Sequence, residues 1–178
     1  TLYVESYPGA AKEMREHLEA LFGYCPQIKM IHHHECHAAS SYYAAGWSEA
    51  TVVTFDWSGD GVSSSIWKGK DGKLGRLEFI PRPNSLGVFY AAFTQFLGFE
   101  RGDEYKVMGL ASYGDPNVDL SVAMDVSKPI YELNQDILNT KNRSMHQLVF
   151  SNALRQWFPD YLRPRYAKLE QTHMDMAA

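Results

Sequence analysis

The sequence predicts an α/β fold built around a three-stranded antiparallel meander flanked by helices. Three observations predict it. Apolar, β-branched and aromatic residues gather in three short runs, Thr51 to Phe55, Val62 to Lys68 and Leu74 to Pro81, as half-buried strands require. The runs are joined by Ser58-Gly59-Asp60-Gly61 and by Gly69-Lys70-Asp71-Gly72-Lys73, where Asp-Gly pairs tolerate positive φ. Flanking segments instead repeat their apolar residues at helical spacing, with glycine where a helix should stop.

In chain order, Pro8-Gly9 precedes Ala10 to Gly23, where Met14, Leu18, Leu21 and Phe22 recur every three or four residues among charges. This reads as a surface helix closed by Gly23. A short strand, Gln27 to Ile31, leads into His32-His33-His34-Glu35-Cys36-His37, and small and aromatic residues through Gly46 make the segment after His33 a helix. After the meander, Ser85 suits an N-cap for a helix in which Leu86, Phe89, Tyr90, Phe93, Phe96 and Leu97 form a core stripe ending at Gly98. Asp103 and Gly114 bracket a further helix as N-cap and left-handed stop. Val118 to Asn139 has no clear period, and Met145 to Phe158 reads as an amphipathic helix stopped by Pro159. His146 and His173 are read as surface or packing residues.

The chain has 178 residues, about one domain, with 45% hydrophobic and 13% aromatic residues, enough to bury a core. Its net charge of −4 and lack of a long basic cluster argue against a nucleic-acid surface. Two cysteines, Cys25 and Cys36, make no disulfide framework, and no apolar run approaches the roughly 20 residues of a spanning helix. The expectation is a cytoplasmic protein that uses no membrane; its oligomeric state is open. Thr1 in place of methionine, and a last segment from His173 that reads as the first turns of a helix, lead us to expect a piece of a longer protein.

The candidate chemistry lies where the second helix meets the first meander strand. In a helix, His33 and His37 are at i and i+4 on one face, a spacing that can hold a metal ion. Asp56 ends the strand before Trp57-Ser58-Gly59-Asp60-Gly61 and can add a carboxylate. Two imidazoles and a carboxylate favour iron, manganese or zinc over calcium or magnesium, although any His-rich helix gives H-x-x-x-H by chance. The turn at Gly59, Asp60 and Gly61 reads either as a plain hairpin loop or as a backbone nest that cradles phosphate. Lys106, one turn into the helix after Asp103, is either a surface lysine or a phosphate contact, with Gly109 beside it permitting close approach of backbone or ligand.

Taken together, His33-His34-x-x-His37-Ala-Ala-Ser, Phe55-Asp56-x-x-Gly59-Asp60, Pro83-x-Ser85-Leu86-Gly87-x-x-Tyr90-x-x-x-Thr94-x-x-Leu97-Gly98-Phe99 and Asp103-Glu104-x-Lys106-Val107-Met108-Gly109-Leu110-Ala111-x-Tyr113-Gly114 resemble the O-carbamoyltransferase family of nodulation-factor and antibiotic biosynthesis. The motifs run from about His32 to Pro116, with an echo at His173 to Ala178, leaving 117–178 as a helical region. The resemblance implies that residues 1–178 are a single piece of the amino-terminal domain, cut at both ends. That domain has an actin-like ATPase (ribonuclease H-like) fold, related to the tRNA threonylcarbamoyl-transfer enzymes.

By the same resemblance, His33, His37 and Asp56 bind a divalent metal, Fe2+ before Zn2+ or Mn2+. An aspartate beyond this chain completes the shell, and in its absence His34 or Cys36 can substitute. ATP and carbamoyl phosphate supply a carbamoyl-adenylate, and the carbamoyl group passes to a hydroxyl of a small, sugar-containing acceptor. Asp56 and Lys106 would be catalytic; Gly59, Asp60, Gly61 and Lys106 would line the nucleotide. The piece alone is expected to have no turnover. Two other readings remain: a tRNA threonylcarbamoyl-transfer protein, and a non-catalytic module with structural zinc.

Overall fold

A computed structural model of the chain describes residues 2–5, 9–128, 130–138 and 149–178. They form two compact units, Thr1–Ser85 and Leu86–Ala178.

In the first unit, β1 (Leu2–Glu5) and β2 (Ile28–Ile31) pair in parallel, Leu2 opposite Ile28, with α1 (Ala10–Phe22) as the crossover. Gly23 ends α1 at φ 73°, its N–H on the Glu19 carbonyl at 2.9 Å; the absent side chain makes that left-handed stop inexpensive. Next comes α2 (His33–Ala45), then the meander β3 (Glu49–Gly59), β4 (Val62–Lys70) and β5 (Lys73–Pro81).

Both hairpin loops are shorter than the sequence suggests. Gly59 pairs with Val62 and Lys70 with Lys73, leaving only Asp60-Gly61 and Asp71-Gly72 as connections. All four loop residues have positive φ, at 52°, 78°, 48° and 72°. Such mirror-image turns match the twist of the flanking strands, so the ladders close right up to them.

Along β3, Val52 and Thr54 are buried while Thr51, Val53 and Phe55 are exposed. This period of two puts the even-numbered residues under α2. On α2, the buried residues His34, Ala38 and Tyr42 make the complementary stripe at i, i+4 and i+8. Ala38, Tyr42, Val52 and Trp67 form the unit's core, with Ala50, Leu74 and Phe79 packed against it. Gly69 allows the helix to come this close, since a Cβ there would lie 2.4 Å from the Tyr42 ring.

The second unit begins with α3 (Leu86–Phe96) and α4 (Glu104–Ala111). A two-residue ladder of β6 (Met124–Asp125) with β7 (Glu132–Leu133) follows, then α5 (Asn152–Trp157) and α6 (Gln171–Ala177). Short 3-10 turns occupy Gln135–Ile137 and Pro159–Tyr161. The aromatic stripe of α3 is core, as its spacing predicts: Phe89 and Phe93 stack at 4.7 Å, and Phe96 meets Phe150 edge-to-face at 5.6 Å. Each such burial is worth about 1.5–3 kcal/mol, so these rings contribute to the core of the unit.

Two expectations are corrected here. Residues 149–151 are not helical: Phe150 bridges Leu138, and α5 starts only at Asn152, where Ser151 caps it by accepting from the Ala153 N–H at 3.1 Å. The remainder of the expected Met145 helix, with His146, lies outside the described residues. Gly114 is not a left-handed stop, because α4 ends at Ala111 with Ser112 still right-handed. The glycine is required instead by packing, since a Cβ there would sit 2.0 Å from the Met174 carbonyl oxygen of α6. Buried His173 does pack, its Nδ1 accepting from the Glu170 N–H at 2.9 Å. No helix among the described residues is long and apolar enough to cross a membrane.

Candidate metal centre

Asp56 continues the inward register of Val52 and Thr54, so the strand's periodicity alone aims it at α2. The ladder breaks at this point. Between the pairs Phe55–Ser64 and Gly59–Val62, three residues of β3 oppose one of β4, a bulge that contains Asp56. Bulges re-aim side chains, and this one is pinned. Ser85, fully buried, donates its hydroxyl to the Trp57 carbonyl at 2.7 Å, and the Trp57 N–H donates to Asp56 Oδ1 at 2.6 Å. The other carboxylate oxygen, Oδ2, is left facing the helix.

His33 and His37 meet it there. His33 Nε2 is in close hydrogen-bond contact with Asp56 Oδ2, His37 Nε2 is 3.5 Å from the same oxygen, and the two Nε2 atoms are 3.0 Å apart. Two imidazole nitrogens this close cannot both present lone pairs without a proton or cation among them. All three donor atoms lie within 4.8 Å of one another. Burial alone pushes the Asp56 carboxyl up, but hydrogen bonds from His33 and Trp57 and the neighbouring imidazoles outweigh it, holding the group below its usual range. It is therefore a carboxylate at neutral pH. The donor set fits a divalent transition metal.

The helix start is built to hold His33. Asp60 Oδ2 accepts the His33 backbone N–H at 2.9 Å, and His32 Nδ1 accepts the His34 N–H at 3.2 Å. Two otherwise orphaned donors of the first turn are thus satisfied, with a carboxylate at the positive end of the helix dipole. Gly59 supports the same residue from below: a Cβ on it would lie 1.9 Å from His33 Cδ2. Gly59 and Asp60, for which the family resemblance implies nucleotide contact, are thus both in contact with His33, while Gly61 completes the hairpin.

His34 does not act as a substitute ligand. It is fully buried, with Nε2 3.0 Å from the Val62 carbonyl and Nδ1 2.6 Å from Thr54 Oγ1. Thr54 is 2.7 Å from Ser65 Oγ, which accepts from Trp67 Nε1–H at 2.6 Å. Because the Val62 carbonyl can only accept, the neutral ring carries its proton on Nε2; Nδ1 then accepts from Thr54, Thr54 accepts from Ser65, and Ser65 accepts from the Trp67 indole. This fixes a neutral tautomer, and burial lowers the pKa of His34 against the opposing pull of the Val62 carbonyl. Nor does Cys36 join the cluster, which among the described residues comprises His33, His37 and Asp56.

Lys106 lies on α4 in the second unit, with Nζ 2.8 Å from Asp103 Oδ1. That hydrogen bond raises its pKa and keeps it cationic. Asp103 does not cap α4 with its side chain, and Gly109 faces open space. Sequence reasoning missed the Thr54–Ser65–Trp67 relay and the Asp60 cap; the inward register of Thr54 was the available signal for the first.

Comparison with known proteins identifies the family of the chain. The family described as the carbamoyltransferase N-terminus matches residues 6–174. Nodulation protein NolO of Bradyrhizobium diazoefficiens is 41% identical over 87 residues, 49% of this chain and 16% of the relative. Nodulation protein NolNO of Sinorhizobium fredii is 36% identical over 107 residues, 60% of this chain and 15% of the relative. An uncharacterized protein of Methanocaldococcus jannaschii is 35% identical over 148 residues, 73% of this chain and 24% of the relative. The chain thus spans less than a quarter of the length of each of these relatives.

Proposed function

This chain belongs to the family of carbamoyltransferase amino-terminal domains, and on that premise we propose that it carries three metal ligands of an ATP-dependent O-carbamoyltransferase. The observation that carries the reading is the convergence of His33 Nε2, His37 Nε2 and Asp56 Oδ2 from residues up to 23 apart in sequence. The site is open, the His37 side chain being 52% exposed, which suits a reactive centre better than a closed structural one. The meander with α2 packed on it is consistent with an actin-like (ribonuclease H-like) frame.

A divalent transition metal held by these residues, Fe2+ before Zn2+ or Mn2+, supplies Lewis-acid stabilisation of phosphate charge. The donor is a carbamoyl-adenylate made from carbamoyl phosphate and ATP. In the transfer, a hydroxyl oxygen of a small, sugar-containing acceptor bonds to the carbamoyl carbon. The bond from that carbon to the AMP phosphate oxygen breaks, the hydroxyl proton is released, and AMP leaves with the electron pair.

The chain's own residues prepare this step. Asp56 stays ionised and faces the two imidazoles, while Asp60 and Gly59 fix the position of His33. Phosphate contact from Gly59, Asp60 and Gly61 falls to their backbone, since the Asp60 carboxylate is engaged. Lys106, on the second unit, stays cationic beside Asp103, the state a phosphate contact requires. The reaction takes place in the cytoplasm.

The test is AMP release by the full-length protein supplied with ATP, carbamoyl phosphate and candidate acceptors. Release should require carbamoyl phosphate and fall about 100-fold or more in Asp56→Ala. Release that ignores carbamoyl phosphate, or survives Asp56→Ala, refutes the reading.

A further inference from the structure

The second unit holds a cavity of about 660 Å3 between the end of α3 and the segment Leu162–Arg165. Its volume is in the range of small-molecule sites. Of the eight arginines in the sequence, four, Arg101, Arg155, Arg163 and Arg165, line it. Glu100 contributes the one carboxylate of the lining, so the walls carry a net charge of +3 in a chain whose net charge is −4.

These arginines differ in what they can do. Arg163 is a fixed part of the wall: its Nε and Nη2 donate to the Ala167 carbonyl at 2.9 and 2.6 Å, and Nη1 donates to the Leu97 carbonyl at 2.9 Å. Its guanidinium carbon stands 5.0 Å from the Phe99 ring centre. Arg155 lies 5.2 Å from the ring centre of Phe150, which leaves the edge of its guanidinium for a ligand. Arg165 pairs with Glu100, but both side chains are more than half exposed, and such a pair contributes little and opens readily.

We propose that this cavity binds a phosphate-bearing small molecule, with Arg155 and Arg165 contacting the phosphate oxygens and Arg163 supplying fixed positive charge from the wall. Guanidinium groups meet phosphate through paired N–H donors, and the apolar wall of Phe99 and Phe150 suits the remainder of such a ligand. The inference is independent of the metal centre.

The test uses pyrophosphate and the full-length protein. Labelling by phenylglyoxal, mapped by mass spectrometry, should slow at Arg155 and Arg165 by about threefold or more when pyrophosphate is present. Labelling of Arg15 on α1 should be unchanged. In calorimetry, the double variant Arg155→Gln, Arg165→Gln should bind pyrophosphate at one site fewer than the parent, while His33→Ala retains that site. Labelling no slower than in sodium chloride of equal ionic strength, or an unchanged number of sites in the double variant, overturns the proposal.

Discussion

The ring of His33 lies directly against the backbone of Gly59: an added Cβ would stand 1.9 Å from its Cδ2. No side chain fits between them, so the position of the imidazole that meets Asp56 is set by a missing methyl group on the neighbouring strand. Gly59→Ala should keep the fold but displace the ring, lowering metal affinity by about 10- to 100-fold, the scale seen when support of a ligand is lost. Titration with Zn2+ or Fe2+ checks this, and unchanged affinity would mean that the ring has another acceptable position.

Asp60 works on the same residue through the backbone. Its φ of 52° is tolerated by Asn but strained for Ala, and its carboxylate caps α2. Asp60→Asn should therefore cost little stability, whereas Asp60→Ala should lose about 0.5–2 kcal/mol for the cap, with added strain. Denaturant melts of the two variants give the order.

His34 links stability to pH. Burial holds its pKa below the ordinary imidazole value, so the folded state keeps it neutral while the unfolded chain takes up a proton near pH 6.5. Its contribution is present above that value and is lost as the pH falls through it. Denaturation at about pH 7.5 and about pH 5.5 should show the parent losing more stability on acidification than His34→Gln. Equal losses would remove His34 as the cause.

Gly114 tests the packing of the second unit. Gly114→Ala would drive a methyl into the Met174 carbonyl and should destabilise the protein by about 1–3 kcal/mol, as overpacking does. A thermal melt reports it, and a neutral result would show that α6 yields without cost.

Much of this was legible in the sequence because it follows from period and turn chemistry. The stripe of α3, the ends of α1 and the three meander strands are local patterns, and His33 and His37 follow from an i, i+4 spacing; Asp56 is expected at a strand end, whereas β3 runs on to Gly59 and holds Asp56 in a bulge. What was hidden depends on contacts distant in sequence. That Gly59 and Asp60 support His33, 26 and 27 positions earlier, cannot be read from a turn that looks the same whether it cradles phosphate or caps a helix. His34 stands beside His33 in sequence, yet one step along a helix turns it by about 100° into the core, where Thr54 and Val62 occupy both ring nitrogens. Gly114 was misread because a glycine after a helix usually marks a left-handed stop, and only the approach of α6 shows its other use.

The most direct test of the central claim is metal content of the full-length protein, compared with His33→Ala, His37→Ala, Asp56→Ala and, as a control, Cys36→Ser. About one divalent metal per chain in the parent and in Cys36→Ser, lost in the other three, is the predicted result. A metal-free parent, or metal retained in all three ligand variants, would contradict the account.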